Sequence, residues 1–134
     1  MSSVYGRYPK DFTHQKGEYK AEDYSNFLHH YSLPLFYQNL DPTVFEAWKH
    51  FAYGATLSTK IEIDEHDIGG AETAFVTFLT WYYKTVYQRK RKRLAACTYT
   101  MHALCHISIC MKWWGPLSNV WQFAGERFCG LCVC

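Results

Sequence analysis

His102 and His106 stand four residues apart, so on a helix both imidazoles of His102-Ala103-Leu104-Cys105-His106 face the same way and can reach one ion. Zinc takes four ligands, or three and a water. No CxxC precedes the pair. Cys129-Gly130-Leu131-Cys132 has that spacing but follows it. Two histidines packed on an ordinary helix in an aromatic core satisfy the same pattern. Glu126 is the second candidate, in Trp121-Gln122-Phe123-Ala124-Gly125-Glu126-Arg127-Phe128. A carboxylate there suits Mg²⁺, which prefers oxygen ligands; a surface pair with Arg127 or a helix-capping acid suits it equally. The third candidate is Arg89-Lys90-Arg91-Lys92-Arg93. Such a run contacts phosphates, serves as a nuclear localisation patch, or is a solvated tail. His29-His30 and His66 have no partner by spacing.

Several chemistries are excluded. The sequence holds no GxSxG, P-loop, GxGxxG or HExxH. Cys105 and His106 do not make a catalytic pair by adjacency, because neighbours on a helix point about 100° apart.

The elements that must position these residues read as helices. Residues 1–18 carry Gly6, Pro9 and Gly17 and predict an extended, irregular arm. Tyr24, Phe27, Leu28 and Tyr31 share one helical face, and Pro34 is expected to end or kink that helix. Asp41-Pro42 starts the next, since Asp caps orphan N–H groups and Pro fits the first helical position. Val44, Phe45, Trp48 and Phe51 continue it; Gly54 and Ser58-Thr59 suggest its end. Lys60 to Ile63 alternates like a short extended piece. Asp64 or Asp67 opens the longest helix, through Ala71, Phe75, Phe78, Leu79, Tyr82 and Val86, with the basic run as its tail or a loop. Thr98 or Thr100 starts another, with Met101, Leu104, Cys105, Ser108 and Met111 on one side, and Gly115-Pro116 stops it. An aromatic stretch follows from Leu117 to Phe128. The expectation is all-α, about five helices in an irregular bundle: an arm at 1–18, a helical domain at 19–130 and a Cys-containing tail at 131–134.

Composition sets the bounds. At 134 residues the chain suits one small domain, and 49% hydrophobic with 19% aromatic content argues against disorder. Net charge is only +2, so the molecule as a whole is not a strongly basic nucleic-acid binder. Five of the 14 Lys and Arg lie in the basic run; without it the chain is net acidic. No secretory signal or membrane-length apolar run appears, so no membrane partner is expected and the location reads as intracellular, with the nucleus indicated by the basic patch. The six Cys then read as thiols or metal ligands, not disulfides.

Three segments carry a resemblance. Gly17-Glu18-Tyr19-Lys20-Ala21-Glu22-Asp23-Tyr24-Ser25-Asn26-Phe27-Leu28 looks like a "G-x-x-KA-x-x-W-x-x-F-L" opening, with Tyr24 at the Trp position. Asp64-Glu65-His66-Asp67-Ile68, then Ala71-Glu72 and Phe78, looks like an acidic start to a long helix ending in Tyr-x-x-x-Tyr, here Tyr83 and Tyr87. Most specific are Met101-His102 to His106-Ile107, Trp114-Gly115-Pro116-Leu117, and Trp121-x-Phe123-x-x-Glu126-Arg127-Phe128-Cys129-Gly130. Together, over about residues 17 to 130, they resemble transposases of the CACTA (En/Spm) type, especially fungal and plant copies.

The resemblance implies a helical region near the end of a ribonuclease-H-like core whose Asp-Asp-Glu triad holds two Mg²⁺ ions for strand transfer. It implies the triad Glu for Glu126. It also implies zinc ligation for His102 and His106, as in the related Transib-type and V(D)J recombinases, where an upstream CxxC completes the site. This sequence departs from the pattern: two Asp and that CxxC are missing, Ser118 stands where relatives carry Trp, and Leu131-Cys132-Val133-Cys134 reads as a truncation. The expected function is a transposon-derived remnant without catalysis of its own, contacting DNA through Arg89 to Arg93 or another transposase chain, and self-associating through exposed apolar faces. The alternative is a small zinc-binding helical module using His102, His106, Cys129 and Cys132. Mg²⁺ belongs only to a complete relative.

Overall fold

The computed structural model describes residues 21–120. Glu126, Cys129, Cys132, the arm and the tail lie outside the described residues. The chain divides into two compact units, Met1–Asn39 with Gln122–Cys134, and Leu40–Trp121. The fold is all-α with about five helices, and no strand occurs among the described residues. No helix among them is long and apolar enough to cross a membrane.

In the first unit, α1 (Ala21–Asn26) runs through a π-helical turn, Phe27–Tyr31, into α2 (Ser32–Phe36). Pro34 therefore does not end the helix. A proline ring crowds the carbonyl four residues back and removes one hydrogen bond. The wider π turn directly upstream accommodates both effects. There Ser32 N–H reaches the Phe27 carbonyl and Ser32 Oγ donates to the Leu28 carbonyl at 2.8 Å.

The second unit is built on α3 (Pro42–Ser58) and α4 (Glu65–Tyr82). Asp41 caps α3 through the Thr43 N–H at 2.9 Å, with Pro42 at the first helical position. α4 opens on a capping box that uses both candidate acids. Asp67 N–H donates to Asp64 Oδ1 at 2.7 Å, and Asp64 N–H returns to Asp67 Oδ2 at 3.3 Å. Lys60 to Ile63 forms the connecting loop rather than a paired strand.

The two helices pack antiparallel, Leu57 meeting Gly70, Gly54 meeting Phe75, and Phe51 meeting Phe78. Gly54 is thus not a terminus but the contact point in mid-helix. A Cβ there would lie 3.0 Å from the Phe75 ring. Leu57, Ala71, Phe75 and Met111 form one core cluster; Ala47, Phe78 and Leu79 form another. Phe51 and Leu104 pack against both.

The last stretch comprises α5 (Tyr99–Ala103), a 3₁₀ turn (Leu104–His106) and α6 (Ile107–Trp114). Thr98 caps α5 through the Met101 N–H, and Gly115 stops α6 with a left-handed φ of 76°. Leu104, Ser108 and Met111 turn toward the core as expected, but Cys105 is exposed. The tighter 3₁₀ turn advances each side chain by about 120° instead of 100°, which rotates Cys105 off the predicted face. Ser118 Oγ then donates to the Lys60 carbonyl at 3.0 Å, tying the end of this stretch to the α3–α4 loop.

Gly54→Ala is expected to destabilise the protein by about 1–3 kcal/mol, because the ring beside it has no free end to give. Gly69→Ala, where an added Cβ meets nothing within 4 Å, is expected to stabilise by roughly 0.5–1 kcal/mol. Urea denaturation of both variants checks the contrast; equal effects would remove Gly54 as the point of close approach.

Candidate functional site

The basic run is neither a helix tail nor a plain loop. α4 gives way to a π-helical turn, Tyr83–Tyr87, whose first and last rings meet edge to face at 6.0 Å. Gln88 and Arg89 then both take left-handed backbone, φ 54° and 49°. For residues with a Cβ this costs roughly 1–2 kcal/mol each, so local bonds must hold it. Gln88 N–H donates to the Tyr83 carbonyl at 2.8 Å, and its side-chain amide donates to the Thr85 carbonyl at 3.1 Å. Lys90 N–H reaches the Tyr87 carbonyl at 3.3 Å.

After this break a 3₁₀ segment, Arg91–Ala96, runs back, and the Tyr82 hydroxyl donates to the Ala96 carbonyl at 2.9 Å. All five basic side chains are exposed. Arg93 is partly spoken for: its guanidinium donates to the Val86 carbonyl at 3.0 Å, where positive charge complements a helix end. Arg89, Lys90, Arg91 and Lys92 remain as an exposed cationic turn anchored at both ends to α4.

His102 and His106 come together. Their Nε2 atoms lie 3.2 Å apart with the rings edge to face, both exposed. Two nitrogens on a tetrahedral zinc at its usual bond length stand roughly 3.3 Å apart. The separation equally suits one ring donating a hydrogen bond to the other. Among the described residues no third His, Cys, Asp or Glu joins them at ligating distance. The pair is not packed in an aromatic core, because α5 turns the His102 ring, and the 3₁₀ turn after it the His106 ring, to solvent.

His66 does have neighbours that its spacing does not announce. Ligand atoms of Asp64, His66 and Asp67 lie within 4.8 Å of one another. Their hydrogen bonds are already committed. Asp64 caps α4, and Asp67 accepts from Lys60 Nζ at 2.7 Å as well as from the Asp64 N–H. The Lys60 hydrogen bond holds the Asp67 carboxyl below its ordinary range and, reciprocally, holds the Lys60 ammonium above its own. A cation here would have to displace Lys60, so the cluster reads as the fastening of the α3–α4 loop.

A further groove lies beside the basic turn, between α4 and the 3₁₀ turn, with Tyr83 and Cys105 on its wall. Burial raises the Tyr83 phenol above its ordinary value, and the neighbouring Cys97 and Cys105 thiols add to the effect. Helical spacing alone hides this groove, because it places Cys105 on the core face. The sequence signal nearest to it is the Tyr83-x-x-x-Tyr87 spacing at the end of α4.

Comparison of the chain with protein-family models, with curated proteins and with solved structures returns no match.

Proposed function

We propose that the chain is a transposon-derived, non-catalytic protein that contacts nucleic acid through the turn at Arg89 to Arg93. The origin rests on the sequence resemblance alone. The observation that carries the binding reading is the exposed cationic turn: four basic side chains that bond to no backbone carbonyl among the described residues, on a segment pinned by Tyr82 and Gln88. A solvated charged tail has no need of strained backbone or of such anchors. Of the triad that the resemblance implies, this sequence supplies one carboxylate, Glu126, and two-metal chemistry needs more. A nuclear location would follow from the same basic patch.

Binding of a labelled DNA duplex should weaken linearly with the logarithm of salt concentration. Neutralising Arg89, Lys90, Arg91 and Lys92 should lower that slope by about 0.9 for each phosphate the protein no longer neutralises. Absence of binding to duplex and single-stranded DNA alike at low salt overturns the reading, as does an unchanged slope.

The second reading is a small zinc module, favoured by the His102–His106 separation of 3.2 Å. On this reading purified protein carries stoichiometric zinc, measured by atomic emission, and His102→Ala abolishes it. Folded protein free of zinc sinks it.

A further inference from the structure

The groove beside the basic turn differs in character from two other surface grooves among the described residues. Its rim carries Lys84, Gln88 and Arg89, and no carboxylate lines it. The groove between α3 and α4 holds the Glu46–Lys49 ion pair, and another is lined by Glu65 and Glu72 with Lys112, so both mix carboxylates with their cations. Its floor is apolar and aromatic, formed by Leu79 and the Tyr83 ring, and Val76 beside them is 53% exposed.

The left-handed pair matters here. Had α4 continued as a regular helix, Arg89 would stand about 140° round the axis from Lys84 and project off the groove. The break at Gln88 and Arg89 turns the chain so that Arg89 joins Lys84 and Gln88 in lining the groove instead. Strained backbone held by its surroundings is a common feature of ligand-binding segments. Lys90 to Lys92 follow directly, so the cationic rim continues beyond the groove.

Resting on the nucleic-acid reading above, we propose that this groove holds a single-stranded nucleic-acid segment, a phosphate lying between Lys84 and Arg89 and a base lying against Tyr83 and Leu79. Cationic rim and aromatic floor are the two parts of a single-strand site: the charges follow the backbone, and the ring takes the face of an unstacked base. A duplex offers phosphates to the rim but keeps its base faces stacked, so it leaves the floor empty. Val76, Thr80 and Lys84 repeat at four-residue spacing along α4 and its π-helical extension and are all exposed, which leaves the strand a continuous wall to lie on. Cys105, exposed in the same lining, is a built-in reporter of occupancy.

Fluorescence anisotropy with a labelled oligothymidine and with a duplex of equal length tests the proposal at low salt. The single strand should bind more tightly. Thr80→Glu, which places a carboxylate on the wall, and Lys84→Ala should each weaken single-strand binding about tenfold. Both sites are exposed, so circular dichroism should show unchanged folding. Alkylation followed by mass spectrometry should show Cys105 slowed several-fold by saturating oligothymidine while Cys110 keeps its rate. Duplex binding without single-strand binding overturns this inference and leaves the nucleic-acid reading standing. Absence of both overturns both. Single-strand binding that ignores the two substitutions and leaves Cys105 unprotected puts the strand elsewhere and also overturns the groove.

Discussion

The contact between Gly54 and the Phe75 ring sets the geometry of the larger unit. A ring can lie against the α3 backbone only where no Cβ stands in its way. Once Phe75 is seated, Leu57 falls over Gly70 at one end of the hairpin and Phe51 reaches Phe78 at the other. Met111 and Leu104 then close the clusters from the α5–α6 side. A bulkier residue at position 54 would push α3 outward and open both clusters, since close-packed interiors yield little to added volume.

The proposed nucleic-acid surface depends on this frame through α4. Its start is fixed by the Asp64–Asp67 capping box and the Lys60 ion pair. Its end is where regular helix stops being the most favourable conformation. A π turn, two left-handed residues and a 3₁₀ segment follow within fourteen positions, 83 to 96. The Tyr82–Ala96 hydrogen bond returns the chain to the helix it left. Five like charges in sequence repel one another, and a solvated coil would relieve that repulsion most simply. Here the run is instead bent back, with Arg93 turned onto the Val86 carbonyl and Arg89 brought to the groove.

Much of the fold is legible in the sequence because helix boundaries are written in local chemistry. Asp41-Pro42, Asp64 with Asp67, Thr98 and Gly115 each act within four residues, and each does what its type predicts. What stays hidden depends on partners distant in sequence or on changes of helical period. Gly54 resembles a stop because its reason, Phe75, lies 21 positions on. Pro34 resembles a terminus because a π turn upstream leaves no mark in composition. Cys105 resembles a core residue because a 3₁₀ turn rotates it, and the groove is concealed with it. The His102–His106 approach is visible in the spacing; that both rings face solvent is not.

The central claim is that the strained cationic turn at the end of α4 is where nucleic acid meets the protein. Amide hydrogen exchange, with and without saturating oligonucleotide, tests it most directly. Slowed exchange confined to residues 76–96, with the α3 core and residues 102–106 unchanged, is the predicted result. A bound oligonucleotide that leaves 76–96 exchanging at the free rate, and protects another surface instead, would contradict it.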